Sequence, residues 1–118
     1  SFGKIIKEAY KAADELAKEN ISCEIIDLRT VRPLDTEAIL KSVKKTNRLV
    51  ILEEAWPFGN VATEITFQVQ SKAFDYLDAP IEKINTADTP APYSPVLLKE
   101  WLPNSEDVIN SVKKVLYK

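Results

Sequence analysis

In GKIIKEAYKAADELAKEN the apolar residues Ile5, Ile6, Ala9, Ala13, Leu16 and Ala17 return every three or four positions. Lys4, Lys7, Glu8, Lys11 and Glu15 fill the opposite side. The spacing predicts an amphipathic helix over 3–19, with Asn20 stopping it in a left-handed cap. SCEIIDLR then gathers Ile25, Ile26 and Leu28 into the pattern of a short buried strand over 23–28. Pro33 breaks the chain and Asp35 is placed to cap a helix over 36–46, whose Ala38, Ile39 and Val43 share one face. Lys44 and Lys45 suit the C-terminal end of that helix's dipole. In RLVILEE four consecutive aliphatics, Leu49 to Leu52, are too few for a buried helix and predict a strand over 49–53, covered on both faces.

Farther on, Val61, Ile65, Val69 and Ala73 step by four, joined by Ala62, Phe67 and Phe74, which predicts a helix over 60–74. Ile81 and Ile84 supply a last short strand after Pro80. The stretch TADTPAPYSPVLLKEWLPN holds four of the seven prolines and predicts a stiff loop, with one short helical turn at VLLKEW. Val108, Ile109, Val112, Val115 and Leu116 predict a terminal helix that docks, capped by Asn104 or Ser105, with Glu106 and Asp107 in its first turn. Helices alternating with strands imply one α/β domain over 1–118, a mostly parallel sheet with helices on both faces. Three strands make a small sheet, and Ser1, Phe2 and Gly3 read as the tail of a strand-to-helix turn, so a fragment lacking N-terminal strand is expected.

Composition narrows the function classes. The chain has 118 residues, 45% of them hydrophobic, enough for a single core. Sixteen Lys and Arg against 18 Asp and Glu leave a net charge of -2, which offers nucleic acid no clustered phosphate neutralisation. Cys23 is the only cysteine and histidine is absent, which rules out an intrachain disulfide, a cysteine-based zinc site and a histidine-dependent triad. No apolar run approaches the roughly 18 residues a membrane-spanning helix needs. An intracellular, reducing setting is the expectation.

The densest chemistry is EEAWPFGNVATEI. Glu53 and Glu54 follow a strand's carboxyl end, where α/β folds place ligands. Strand neighbours face opposite ways, so the two carboxylates do not converge, and one glycine makes no phosphate nest. Trp56, Pro57 and Phe58 read as an aromatic anchor at an interface or as a plug over the sheet end. Arg29 and Arg32 fit solvated charge or an intersubunit ion pair better than an anion site. Asp88 and Tyr93, in TADTPAPY, belong to a subunit boundary or to a stiff surface connection.

Taken together, IIDLRTVRPLDTEAILKSVKKTNRLVILEEAWPFGNVATEI, FDYLDAPIEKINTADTPAPY and LPNSEDVINSVKKVL resemble the C-terminal domain of pyruvate dehydrogenase beta subunits, within the transketolase C-terminal domain family. The sharpest marks are Asp27 to Pro33 with Asp35, Glu53 to Pro57, and Asp78 to Pro80. The resemblance covers essentially the whole chain. It implies a three-layer α/β/α fold whose mixed five-stranded sheet has two strands before Ser1, one of them central, between 23–28 and 49–53. It also implies a parent enzyme that uses thiamine diphosphate and magnesium, held outside the present residues, so that this segment carries no catalytic, cofactor-binding or metal-binding residue.

The implied role is assembly. The domain would hold beta to a second beta and to alpha in a heterotetramer, with Trp56, Pro57, Phe58, Asp88 and Tyr93 at subunit interfaces. It would also dock the subunit-binding domain of the dihydrolipoyl acetyltransferase through Asp78, Glu82 and the terminal carboxylate of Lys118. The resemblance implies a cytoplasmic location, or the mitochondrial matrix in a eukaryote. A branched-chain 2-oxo acid dehydrogenase beta subunit, another transketolase-like enzyme and a stand-alone interaction module remain alternatives.

Overall fold

Strand alternation decides the architecture. In the computed structural model, which describes residues 1–118, β1 (Val50–Leu52) directs Ile51 and Leu52 to opposite faces. Ile51 joins Leu28, Ile39, Val43, Ala62, Ile65, Val69 and Ala73 in one core. Leu52 joins Ile5, Ala12, Ile84 and Val108 in another. The first core lies under α2 (Thr36–Thr46) and α3 (Val61–Ala73), the second under α1 (Ile6–Lys18) and α5 (Ser105–Val115). The expected three layers are therefore present. Between them β1 runs parallel to β2 (Glu82–Ile84), with Val50 opposite Glu82 and Leu52 opposite Ile84.

Local signals place the helix ends. Asn20 adopts φ 60°, and the amides of Asn20 and Ile21 donate to the carbonyls of Ala17 and Leu16, a left-handed stop with buried Ile21 closing over it. Asp35 accepts from the amide of Ala38 at 3.0 Å. Asn104 accepts from the amides of Glu106 and Asp107, while Asp107 accepts from the Asn104 amide, so Asn104 is the cap and Ser105 the first helical residue. Two further asparagines punctuate the chain: Asn47, at φ 62°, ends α2, and Asn60 caps α3.

Several expectations need correction. Residues 23–28 form no strand. Their only backbone partner is Ser1, whose amine donates to the Ile26 carbonyl and whose carbonyl accepts from the Leu28 amide. Bonds to residues two apart are what one residue makes with a parallel neighbour, but a single residue is too little for a ladder. Phe67 and Phe74 do not join the core; they are 63% and 60% exposed, on the side of the chain away from Ile65 and Val69. Phe74 also lies beyond α3, opening a 3₁₀ turn over Phe74–Tyr76. The helical turn at VLLKEW is longer than expected, a seven-residue helix α4 (Pro95–Trp101) that starts on a proline.

Between residues 21–28 and β1 lies a slot of about 240 Å³, lined mainly by apolar side chains including Leu16, Ile26, Val43, Val50 and Val108. The Ser1 amine sits at this slot.

Candidate interaction surfaces

Two groups of polar and aromatic side chains stand out, one at each end of the sheet. The first begins at the carboxyl end of β1. Glu53 is 0% exposed, and its two oxygens accept from the Ala62 amide at 3.2 Å and from Asn85 Nδ2 at 3.0 Å. The carboxylate thus completes the first turn of α3 and ties it to the residue after β2, where negative charge also suits the helix dipole. Glu54, its neighbour, faces solvent. The two acids do not converge, as the strand geometry required. No three Asp, Glu, Cys or His side chains converge as ligands of a divalent cation would.

The chain then turns through an aromatic corner. Trp56 is 51% exposed, so it is not a plug over the sheet. Its Nε1 donates to the Thr89 carbonyl at 2.8 Å, and Trp101 Nε1 donates to the same carbonyl at 2.9 Å. Two indoles, from the β1–α3 corner and from α4, therefore grip the proline-rich loop at one atom. Asn60 Nδ2 holds the Trp56 carbonyl, and Lys83 Nζ holds the Pro57 carbonyl. These bonds leave Pro57, Phe58, Asp88 and Tyr93 all exposed on a braced backbone. Trp101 and Lys83 escaped the sequence reading, because neither lies near Trp56 along the chain.

The second group is the acidic edge at the start of β2. Asp78 lies with a carboxylate oxygen 3.7 Å from an Arg48 amino nitrogen, and its carbonyl accepts from the Tyr117 hydroxyl at 3.3 Å. Arg48 is itself fixed by donating Nε to the Val115 carbonyl at the end of α5. Glu82 pairs with Lys114 at 2.8 Å. Lys118 is exposed three residues past α5, its amide bonded to the Lys113 carbonyl. The fold thus brings Asp78, Glu82 and the last residues of the chain to one edge, through Tyr117 and Lys114. Arg48 and Lys114 were not foreseen as partners of these acids. Other basic residues have structural partners: Arg29 pairs with Asp27, Lys113 with Glu19 and Lys45 with Glu24, and Lys44 sits over the Tyr76 ring.

Comparison with known proteins agrees with the resemblance. The family described as Transketolase, C-terminal domain matches residues 1–108. The chain is 53% identical over 117 residues to the pyruvate dehydrogenase E1 component subunit beta of Rickettsia felis, covering 99% of this chain and 36% of the relative. It is 52% identical over 118 residues to that of Rhizobium meliloti, covering 100% of this chain and 26% of the relative. The mitochondrial subunit of Dictyostelium discoideum is 46% identical over 114 residues, 97% of this chain and 32% of the relative. The chain therefore spans about a third of the length of these relatives.

Proposed function

We infer, since this chain belongs to the transketolase C-terminal domain family, that it is the assembly domain of a pyruvate dehydrogenase beta subunit. The parent enzyme decarboxylates pyruvate with thiamine diphosphate and magnesium and passes the acetyl group to lipoamide. The observation that carries this reading is how the polar groups are used. The one buried carboxylate, Glu53, is bonded within the fold, whereas the acids and aromatics that face outward stand on braced backbone. In this reading the cofactor is held by a part of the parent enzyme outside these residues, and Glu53, with its two donors, serves the fold. Residues of this chain, on the same reading, bind and orient subunits.

In this reading the corner formed by Trp56, Pro57 and Phe58, with Asp88 and Tyr93 on the gripped loop, packs against the alpha subunit or the second beta subunit. A half-exposed indole held by a hydrogen bond suits such a contact, because its ring is pre-oriented and loses little freedom on association. The acidic edge of Asp78, Glu82 and the Lys118 carboxylate receives the basic subunit-binding domain of the dihydrolipoyl acetyltransferase. The slot beside Ser1 supports the expectation that a further strand of the family's sheet lies between residues 21–28 and β1. The enzyme works in the cytoplasm of a bacterium or in the mitochondrial matrix of a eukaryote.

Two measurements test this. The complete beta subunit, assembled with its alpha partner, should turn over pyruvate in preference to branched-chain 2-oxo acids; the opposite preference overturns the substrate assignment. In the same assembly Trp56→Ala should shift the sedimentation coefficient toward smaller species. An unchanged coefficient removes Trp56 from the interface.

A further inference from the structure

The two acids of the docking edge differ in how they are held. Asp78 is exposed, and the nearest cation, Arg48, stands 3.7 Å away, beyond hydrogen-bond range, with Nε already engaged by the Val115 carbonyl. That guanidinium is fixed and leaves the Asp78 carboxylate open. Glu82 is different. Its side chain is only 21% exposed, and Lys114 Nζ lies on it at 2.8 Å. Lys114 projects from the last turn of α5 and is itself 70% exposed, so only a flexible, hydrated side chain holds the ammonium in place. A pair whose cation is this exposed is screened by solvent and opens readily.

We propose that Lys114 is a specificity-determining residue of this edge, a resident cation that occupies Glu82 until a partner displaces it. The inference rests on the reading of Asp78 and Glu82 as the acetyltransferase docking surface and deepens it. A basic partner meets Asp78 directly but must compete for Glu82. A single cation engages Asp78 and leaves Lys114 where it is. Only a partner with a second cation positioned for Glu82 exchanges one ion pair for another, and the freed Lys114 turns into solvent. The edge therefore discriminates between a correctly spaced basic surface and a merely basic one.

The test uses the complete alpha–beta heterotetramer titrated calorimetrically with the isolated subunit-binding domain of the acetyltransferase. Lys114→Gln, which removes the competitor, should tighten docking about two- to five-fold at low salt, with the gain fading as salt rises. Lys113→Gln is the control. It removes the same charge one residue earlier on α5, where the ammonium pairs with Glu19 instead of Glu82, and should leave docking unchanged. Unchanged or weaker docking by Lys114→Gln overturns the proposal, as does equal tightening by both variants, which would reduce the effect to net charge. Reversal of Asp78 and Glu82 distinguishes the two levels. If that reversal abolishes docking while Lys114→Gln does nothing, the docking edge stands and the resident-cation role falls; if reversal leaves docking intact, the edge itself is rejected.

Discussion

Glu53→Ala is expected to cost the fold about 2 to 4 kcal/mol, the largest loss from any single polar side chain in the molecule. Three losses add up. The Ala62 amide, in the first turn of α3, loses its carboxylate partner, and the partly buried Asn85 amide group is left without that acceptor. A hydrogen bond to a charged group contributes about 1.5 to 3 kcal/mol, and an orphaned buried donor costs about 1 to 3 kcal/mol. The dipole of α3 also loses a complementary charge, worth about 0.3 to 1 kcal/mol or more when buried. Against these stands the relief of desolvating a carboxylate, which is why the sum stays below the total of its parts. Glu53→Gln keeps the volume and one acceptor and should cost roughly half as much. Urea unfolding measures both. With a slope of about 2 kcal/mol per molar, the alanine variant should move the midpoint down by about 1 to 2 M. A shift within error of zero would mean that Glu53 is not what joins β1 to α3.

Docking should respond still more sharply to charge. Reversing Asp78 and Glu82 to lysine together is expected to abolish measurable binding of the acetyltransferase's subunit-binding domain at low salt. Truncating one member of a desolvated ion pair typically costs 2 to 5 kcal/mol, and reversal adds repulsion between the partner's cations and the new lysines. Two such changes exceed about 4 kcal/mol, a loss of about a thousandfold or more. Inside the domain the same substitutions place ammonium groups beside Arg48 and Lys114, so each reversal should be accompanied by a modest loss of stability. Thiamine-dependent decarboxylation by the isolated heterotetramer should be unaffected, because the proposed role of this edge is docking alone. Calorimetry with each single and the double variant checks the prediction; full affinity in the double variant would remove the acidic edge from docking.

What could be read from the sequence follows the range of each interaction. Asn20, Asp35 and Asn104 were legible as caps because each acts on atoms within three or four residues. Asn47 and Asn60 carried the same signal and were passed over. Two successive aliphatics in a strand were enough to assign two helical layers. The failures were also physical. Phe67 lies six positions after Val61, roughly 240° around a helix of 100° per residue, on the side opposite the core stripe, and Phe74 falls past the end of α3, where the helical period no longer applies. Periodicity counted without angle drew them inward. Residues 23–28 have strand composition, yet a strand exists only where a neighbour offers its backbone, and composition carries no record of the neighbour.

The candidate sites divide in the same way. The family's marks located Trp56, Asp78 and Glu82, but not what holds them. Trp56 and Trp101 meet at Thr89, 33 and 12 residues away. Arg48 reaches Val115 across 67 residues. These partners are set by the closing of the three layers, so no local pattern announces them.

Trp56 and Trp101 are also the only tryptophans in the chain, and both end on the carbonyl of Thr89. Near-ultraviolet excitation of indole therefore interrogates a single point of this domain. Emission should shift to shorter wavelength when a neighbouring subunit covers the corner, stay constant when a ligand occupies the far edge of the sheet, and report release of the proline-rich loop before the cores melt. The double indole contact turns the corner between β1 and α3 into an intrinsic optical probe, with no label to attach.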